Sequence, residues 1–217
     1  HEKEFEEVIR YLLHEVKTSG VKVRLGTEVN AKLVERVNPD VVVFATGSHS
    51  VIPFTPGIDK SHNVYTALEI LEEKVIPSGK VLIMGGGLIG CETAKFISEK
   101  KVDKVIIVEP TENIGGGIGL REGWHLLNEI KKDPKIEIHT RTTVEEIREN
   151  IVVIQNKGKY EEVSVDFIIV AVGLASNNQL ADTLREKLTE FYTIGDCVLP
   201  RKAKEAIYEG LLVGRQI

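Results

Sequence analysis

Residues 81–94 read VLIMGGGLIGCETA, an apolar run that meets three consecutive glycines and continues at helical spacing. Gly85, Gly87 and Gly90 fit the pattern G-x-G-x-x-G, with Gly86, Leu88 and Ile89 filling the loop between them. After a strand and before a helix, each glycine has its own reason. The first permits a tight turn. The second lacks a Cβ, so a pyrophosphate can approach the backbone. The third lets the helix pack close to the strand. The amino end of that helix then offers free N–H groups and partial positive charge to the phosphates. The next strand-like run, KVIIVE at 104–109, ends in Glu109, 19 residues beyond Gly90. A carboxylate at that place can accept hydrogen bonds from ribose hydroxyls. The competing reading is a glycine turn without a ligand beside a solvated glutamate, and the joint spacing weighs against it.

Glu109 also bears on which nicotinamide dinucleotide is bound. A carboxylate there repels a 2′-phosphate, and an NADP(H) site ordinarily supplies Arg or Lys nearby. Here the chain continues PTENIGGGIGL, and the next basic residue is Arg121. The expected cofactor is therefore NAD(H) in preference to NADP(H). Glu92 is expected in the first turn of the helix, where it complements the dipole; contact with the nicotinamide end is its second reading. The glycine-rich stretch 114–119 could cradle phosphate, but no buried strand leads directly into it, and a loop over the nicotinamide site is the preferred reading.

Working outward, the chain alternates strand-like and helix-like segments. Phe5, Val8, Ile9, Leu12, Leu13 and Val16 recur at helical spacing, and Gly20 closes that helix. VKVRL (21–25) reads as a short strand, and PDVVVFATGS (39–48) as a buried one. A Pro-bearing linker follows. The spacing predicts a helix over 65–73, strands at 80–84 and 104–109 around a helix at 88–100, and a helix from Trp124 to Lys132. Between 135 and 172, four segments read as successive strands, with a hairpin turn at Asn156–Gly158. A strand at 190–197 and a helix at 202–216 complete the pattern. The fold class this implies is α/β: a Rossmann-like doubly wound parallel sheet with a β-meander on one face.

Composition narrows the function. The 217 residues carry a net charge of −5 and are 42% apolar, enough for a sizeable core. Mild acidity without basic runs argues against nucleic acid. No apolar stretch approaches the roughly 20 residues needed to span a bilayer, so no membrane partner is expected. The two cysteines, Cys91 and Cys197, make no disulfide framework, and a reducing, cytoplasmic setting is expected. Cys91 is read as a packing residue. The six histidines show no metal-ligand spacing.

The segments DVVVFATGS, VLIMGGGLIGCETAKFISEK, VIIVEP, DFIIVAVGLASNN and YTIGDCVLPRKAKEAIYEG, in that order, resemble one family across nearly the whole chain. They are similar to the carboxy-terminal portion of the NADH:flavin oxidoreductases related to 2,4-dienoyl-CoA reductase, trimethylamine dehydrogenase and 2-enoate reductase. Those enzymes carry an amino-terminal barrel with FMN and a 4Fe-4S cluster. Behind it lies a domain for FAD, or only ADP, into which an NAD(P)-binding domain is inserted.

The resemblance implies that 1–57 and 188–217 are a partial flavin-binding domain and 58–187 the inserted NAD(P)-binding domain. It implies a stretch of a longer enzyme, inactive alone, whose partners are the nicotinamide dinucleotide and the barrel of the parent chain; a naturally short paralogue is the alternative. Apolar faces left bare would favour self-association. Thr46 and Gly47 would approach the flavin nucleotide. Gly195 and Asp196 resemble the GD motif that contacts the ribityl–pyrophosphate part of FAD, with a helix cap as the other reading of Asp196. Ala171 and Gly173 would lie near the nicotinamide, with close backbone packing as the alternative. The implied activity passes hydride from NADH to FAD, and electrons onward through the cluster to FMN; no acid or base is assigned in this stretch. Two other functions are a nucleotide-holding module without redox activity and a pyridine nucleotide-disulfide-reductase-like protein. The absence of a C-x-x-C pair at Cys197 disfavours the latter.

Overall fold

The computed structural model describes residues 2–116 and 119–217. Gly117 and Ile118 of the second glycine-rich loop, and the side chains of Phe5 and Arg121, lie outside the described residues. In chain order, α1 (Glu2–Thr18) and α2 (Ala31–Val37) precede β1 (Val42–Phe44), β2 (Ser48–Ser50) and β3 (Val64–Thr66). Then come α3 (Ala67–Leu71), β4 (Gly79–Met84), α4 (Leu88–Ser98), β5 (Val102–Glu109) and α5 (Leu120–Lys132). After them run β6 (Ile136–Thr140), β7 (Thr142–Arg148), β8 (Ile151–Asn156), β9 (Lys159–Ser164) and β10 (Phe167–Val170). The chain continues through β11 (Leu174–Ser176), α6 (Gln179–Leu184), β12 (Phe191–Thr193) and α7 (Ala203–Gly214).

The centre is a five-stranded sheet in the order β3-β10-β4-β5-β6, parallel throughout. A parallel sheet is covered on both faces, so its strands read as continuous apolar runs. Successive side chains point to opposite faces. Val81, Ile83, Val105 and Ile107 therefore pack with Cys91, Ala94 and Ile97 of α4 and with Ile130 of α5. Leu82, Met84, Ile106 and Val108 pack against Ile147, Val152, Ile154 and Val163 of an antiparallel three-stranded meander, β7-β8-β9. The β8–β9 hairpin turns through Lys157 and Gly158, both at positive φ (48° and 81°), the requirement of a type I′ turn.

A third cluster joins the two ends of the chain. Val34, Phe44, Ala181, Leu184 and Cys197 bury one another, and β1 pairs in parallel with β12. The helix α6 packs here, not on the central sheet. An antiparallel pair, β2 with β11, links this region to the end of β10.

Several sequence expectations change. The expected strand at 190–197 contracts to β12, and Gly195–Cys197 forms a turn of 3-10 helix. The segment 21–25 is not a strand: it is fully solvent-facing and has no strand partner among the described residues. Its alternation of apolar and basic residues imitates a strand without a sheet to complete it. The expected buried strand at 39–48 contracts to β1, with Val43 40% exposed. The run KIEIHT is the edge of the parallel sheet, not of the meander. The expected single strand through 161–173 splits at Val165 and Asp166 into β9 and β10, in different sheets. Missed altogether were α2, the short strands β2, β3 and β11, and α6.

The apolar stripe of α1 faces outward: Val8, Ile9, Leu12, Leu13 and Val16 are all exposed. Amide hydrogen exchange should therefore divide the chain. Amides of β4 and β5 should be strongly protected, while those of 21–25 should exchange near the rate of an unfolded peptide. Equal protection in the two places would contradict this architecture.

Candidate dinucleotide-binding site

The glycine loop lies at the carboxyl edge of the parallel sheet, where open α/β sheets place their ligands. It follows β4 and opens α4, as the sequence predicts. Gly85 has φ +107°, and its N–H donates to the Val108 carbonyl at 2.9 Å. A Cβ at Gly85 would stand 2.5 Å from the Ala171 carbonyl oxygen. A Cβ at Gly90 would stand 2.0 Å from the Gly85 carbonyl oxygen. Packing alone demands both glycines.

Gly87 is different. Its φ is −69°, open to any residue, and the nearest heavy atom to an added Cβ is the Gly116 carbonyl oxygen at 3.7 Å, an ordinary contact. Nothing in the chain itself requires glycine there. Gly87 caps α4 without a side chain, leaving the first-turn N–H groups of Leu88, Ile89 and Gly90 without acceptors in the helix. An open cradle below unpartnered donors fits a pyrophosphate.

Glu109 stands beside that cradle. The Gly86 N–H donates to Glu109 Oε2 at 2.7 Å, and the Thr111 N–H donates to Oε1 at 2.9 Å. The carboxylate is thus fixed within hydrogen-bond reach of the loop, as a ribose acceptor must be. The second glycine-rich segment lies against the first: the Gly115 N–H donates to the Gly86 carbonyl at 2.6 Å. Its described part, through Gly116, lies against Gly86 and Gly87.

Glu92 is not in the first turn of α4, which holds no acid. It begins the second turn, where partial burial raises its carboxyl pKa above the usual range. Cys91 is buried, donates to the Gly86 carbonyl at 3.3 Å, and is pushed up to about 11 by burial. It is a packing residue, held protonated at neutral pH. Cys197 is likewise buried, its thiol at 3.1 Å from the carbonyls of Phe44 and Ile194. The two cysteines are free. No metal-holding group of side chains occurs among the described residues, and no described helix is long and apolar enough to cross a membrane.

The remaining candidates gather at the β2–β11 junction. The hydroxyl of Thr46 donates to the Asn177 carbonyl. The Asn177 N–H returns to the Gly47 carbonyl at 2.9 Å, and the Val51 N–H donates to the Gly173 carbonyl at 3.0 Å. Ser48 Oγ donates to Asp196 Oδ2 at 3.5 Å, and the Arg201 N–H to Oδ1 at 3.1 Å. Gly195 has φ +69° and donates its N–H to Glu209 at 2.6 Å. The segment Thr46–Gly47 is thus tied to Asn177, Gly173 to Val51, and the Gly195–Asp196 turn to Ser48; Asn177, Val51 and Ser48 are not singled out by the sequence.

The glycines make a paired test. Gly90→Ala should destabilise the fold by about 2 kcal/mol or more, since backbone atoms must shift to admit the methyl. Gly87→Ala should leave the melting temperature within about 2 °C yet weaken dinucleotide binding at least about tenfold. Equal effects of the two changes on both readouts would contradict the assignment.

The likeness to known proteins runs over almost the whole chain. A model of the family described as pyridine nucleotide-disulphide oxidoreductase matches residues 3–210. Bilirubin reductase of Mediterraneibacter gnavus is 32% identical over 194 residues, covering 89% of this chain and 30% of that protein. NADH oxidase of Thermoanaerobacter brockii is 30% identical over 214 residues, covering 95% of this chain and 32% of that protein. The solved structure of 2-naphthoyl-CoA reductase in complex with 2-naphthoyl-CoA superposes with a TM-score of 0.88 at 31% identity, covering 99% of this chain and 32% of that one. The chain thus spans about a third of the length of the relatives it matches. With the fold, the glycine loop and these likenesses together, the chain belongs to the pyridine nucleotide-disulphide oxidoreductase family.

Proposed function

We propose that this chain is the electron-input portion of a flavin-dependent oxidoreductase and that it binds NAD(H) in preference to NADP(H). The observation that carries the reading is Gly87, a glycine that neither backbone conformation nor packing requires, at an uncapped helix start beside Glu109. Backbone N–H groups of 87–90 would hold the pyrophosphate, and Glu109 would accept from the adenosine ribose. Ala171, Gly173 and Glu92 would line the nicotinamide end. Thr46, Gly47, Gly195 and Asp196 would meet the flavin nucleotide. The nicotinamide supplies a hydride and the FAD accepts it. The chain's residues orient the two and keep water from between them.

The segment 58–187 would form the nicotinamide unit, with α6 packed on the side of the flavin unit, built from 1–57 and 188–217. An FMN and 4Fe-4S barrel elsewhere in a longer parent chain would receive the electrons, and it would cover the apolar stripe of α1. Left bare, that stripe favours self-association. Two buried, unpaired cysteines support flavin reduction over dithiol exchange as this portion's task. A nucleotide-holding role without electron transfer is the second reading.

Titration calorimetry with both nucleotides tests the proposal. NADH should bind more tightly than NADPH, and Glu109→Ala should weaken NADH about tenfold, the worth of one or two hydrogen bonds, and narrow the difference. Equal or tighter binding of NADPH by the unaltered chain would overturn the preference.

A further inference from the structure

The sequence places no base within ten residues after Glu109, but the fold does. Thr140, the last residue of β6, pairs in register with Glu109. The next residue is Arg141, at φ +53°, whose N–H donates to the Thr111 carbonyl at 2.8 Å. Its guanidinium is ion-paired with Glu112. A cleft of about 380 Å³ opens at this corner between Glu112, Thr140, Arg141, Asn156 and Lys157. Its floor is fixed, because Asn156 Nδ2 donates to the Thr140 carbonyl at 3.0 Å and to Thr142 Oγ1 at 2.7 Å. Arg141, Lys157 and Glu112 therefore meet at a cleft that begins at Thr140, the register partner of Glu109, where the reading above would put the 2′-position of an adenosine ribose.

We propose that Glu112 sets the choice of nucleotide by holding Arg141, and that Arg141, once released, takes the 2′-phosphate of NADPH. The proposal rests on the reading above, that Glu109 and the glycine loop hold the adenosine half. Guanidinium is always charged and presents a fork of donors that matches phosphate. Glu112 opposes a 2′-phosphate twice: it occupies that fork, and it adds a second negative charge beside Glu109. Replacing Glu112 with Gln keeps its size and removes both effects. Glu112 and Arg141 are 68% and 48% exposed at their side chains, so neither change opens a cavity in the core.

The experiment titrates the full chain, unaltered and as E112Q, R141Q and E112Q/R141Q, with NADH and NADPH at low and high salt. In E112Q the ratio of NADPH to NADH affinity should rise about tenfold, with a steeper salt dependence for NADPH. In E112Q/R141Q the ratio and the salt dependence should both fall back. An unchanged ratio in E112Q, or a gain that survives in the double variant, overturns the proposal while NADH binding by the unaltered chain leaves the underlying reading standing. Absence of binding of either nucleotide to the unaltered chain overturns both.

Discussion

Two close approaches of backbone hold the site together. The Gly85 carbonyl lies where a Cβ of residue 90 would be, 2.0 Å away, and the Ala171 carbonyl lies 2.5 Å from where a Cβ of residue 85 would be. The ends of β4 and β10 and the start of α4 therefore meet backbone to backbone, with only the methyl of Ala171 close by. Any larger residue would push α4 off the sheet and carry its first-turn donors away from the edge. This constraint is internal to the fold, and it would exist without a ligand. Its product is an uncapped helix start at the carboxyl end of a parallel sheet, the position from which dinucleotide-binding folds hold phosphate.

Around that point the chain spends its apolar residues in a layered core and its polar ones at the edge. β4 and β5 bury both faces, one against α4 and α5, the other against the meander. The carboxyl edge then collects Glu109, Glu112 and Arg141 on one side, and the β2–β11 junction with Asp196 on the other. Burial keeps Cys91 protonated directly beneath the loop, so the thiol nearest the site acts as filler.

Much of this was legible in the sequence because its signals are local. A strand, three glycines and a helix occupy fourteen consecutive residues, and Glu109 follows at the end of the next strand. The hairpin at Lys157–Gly158 announces itself in the same way. What was not legible depends on long-range pairing. VKVRL has strand-like alternation but no neighbour, and alternation alone cannot supply one. KIEIHT looks like its meander neighbours, and only pairing with β5 assigns it to the parallel sheet. That same register brings Arg141 next to Glu109 across 32 positions of sequence, which the search for a nearby base along the chain could not find. The strands β2 and β11 are three residues each and pair across more than 120 positions, so neither carries a periodic signal.

The claim that the 85–90 loop is the phosphate cradle is tested most directly by amide chemical shifts of the isotope-labelled chain during titration with NADH. The account predicts that the largest shifts fall on Gly86, Gly87, Leu88, Ile89 and Gly90, with the Thr111 amide moving as Glu109 exchanges its loop partners for ribose hydroxyls. Saturable binding that leaves these amides unmoved, with the shifts collected instead around Gly47 and Asp196, would contradict it.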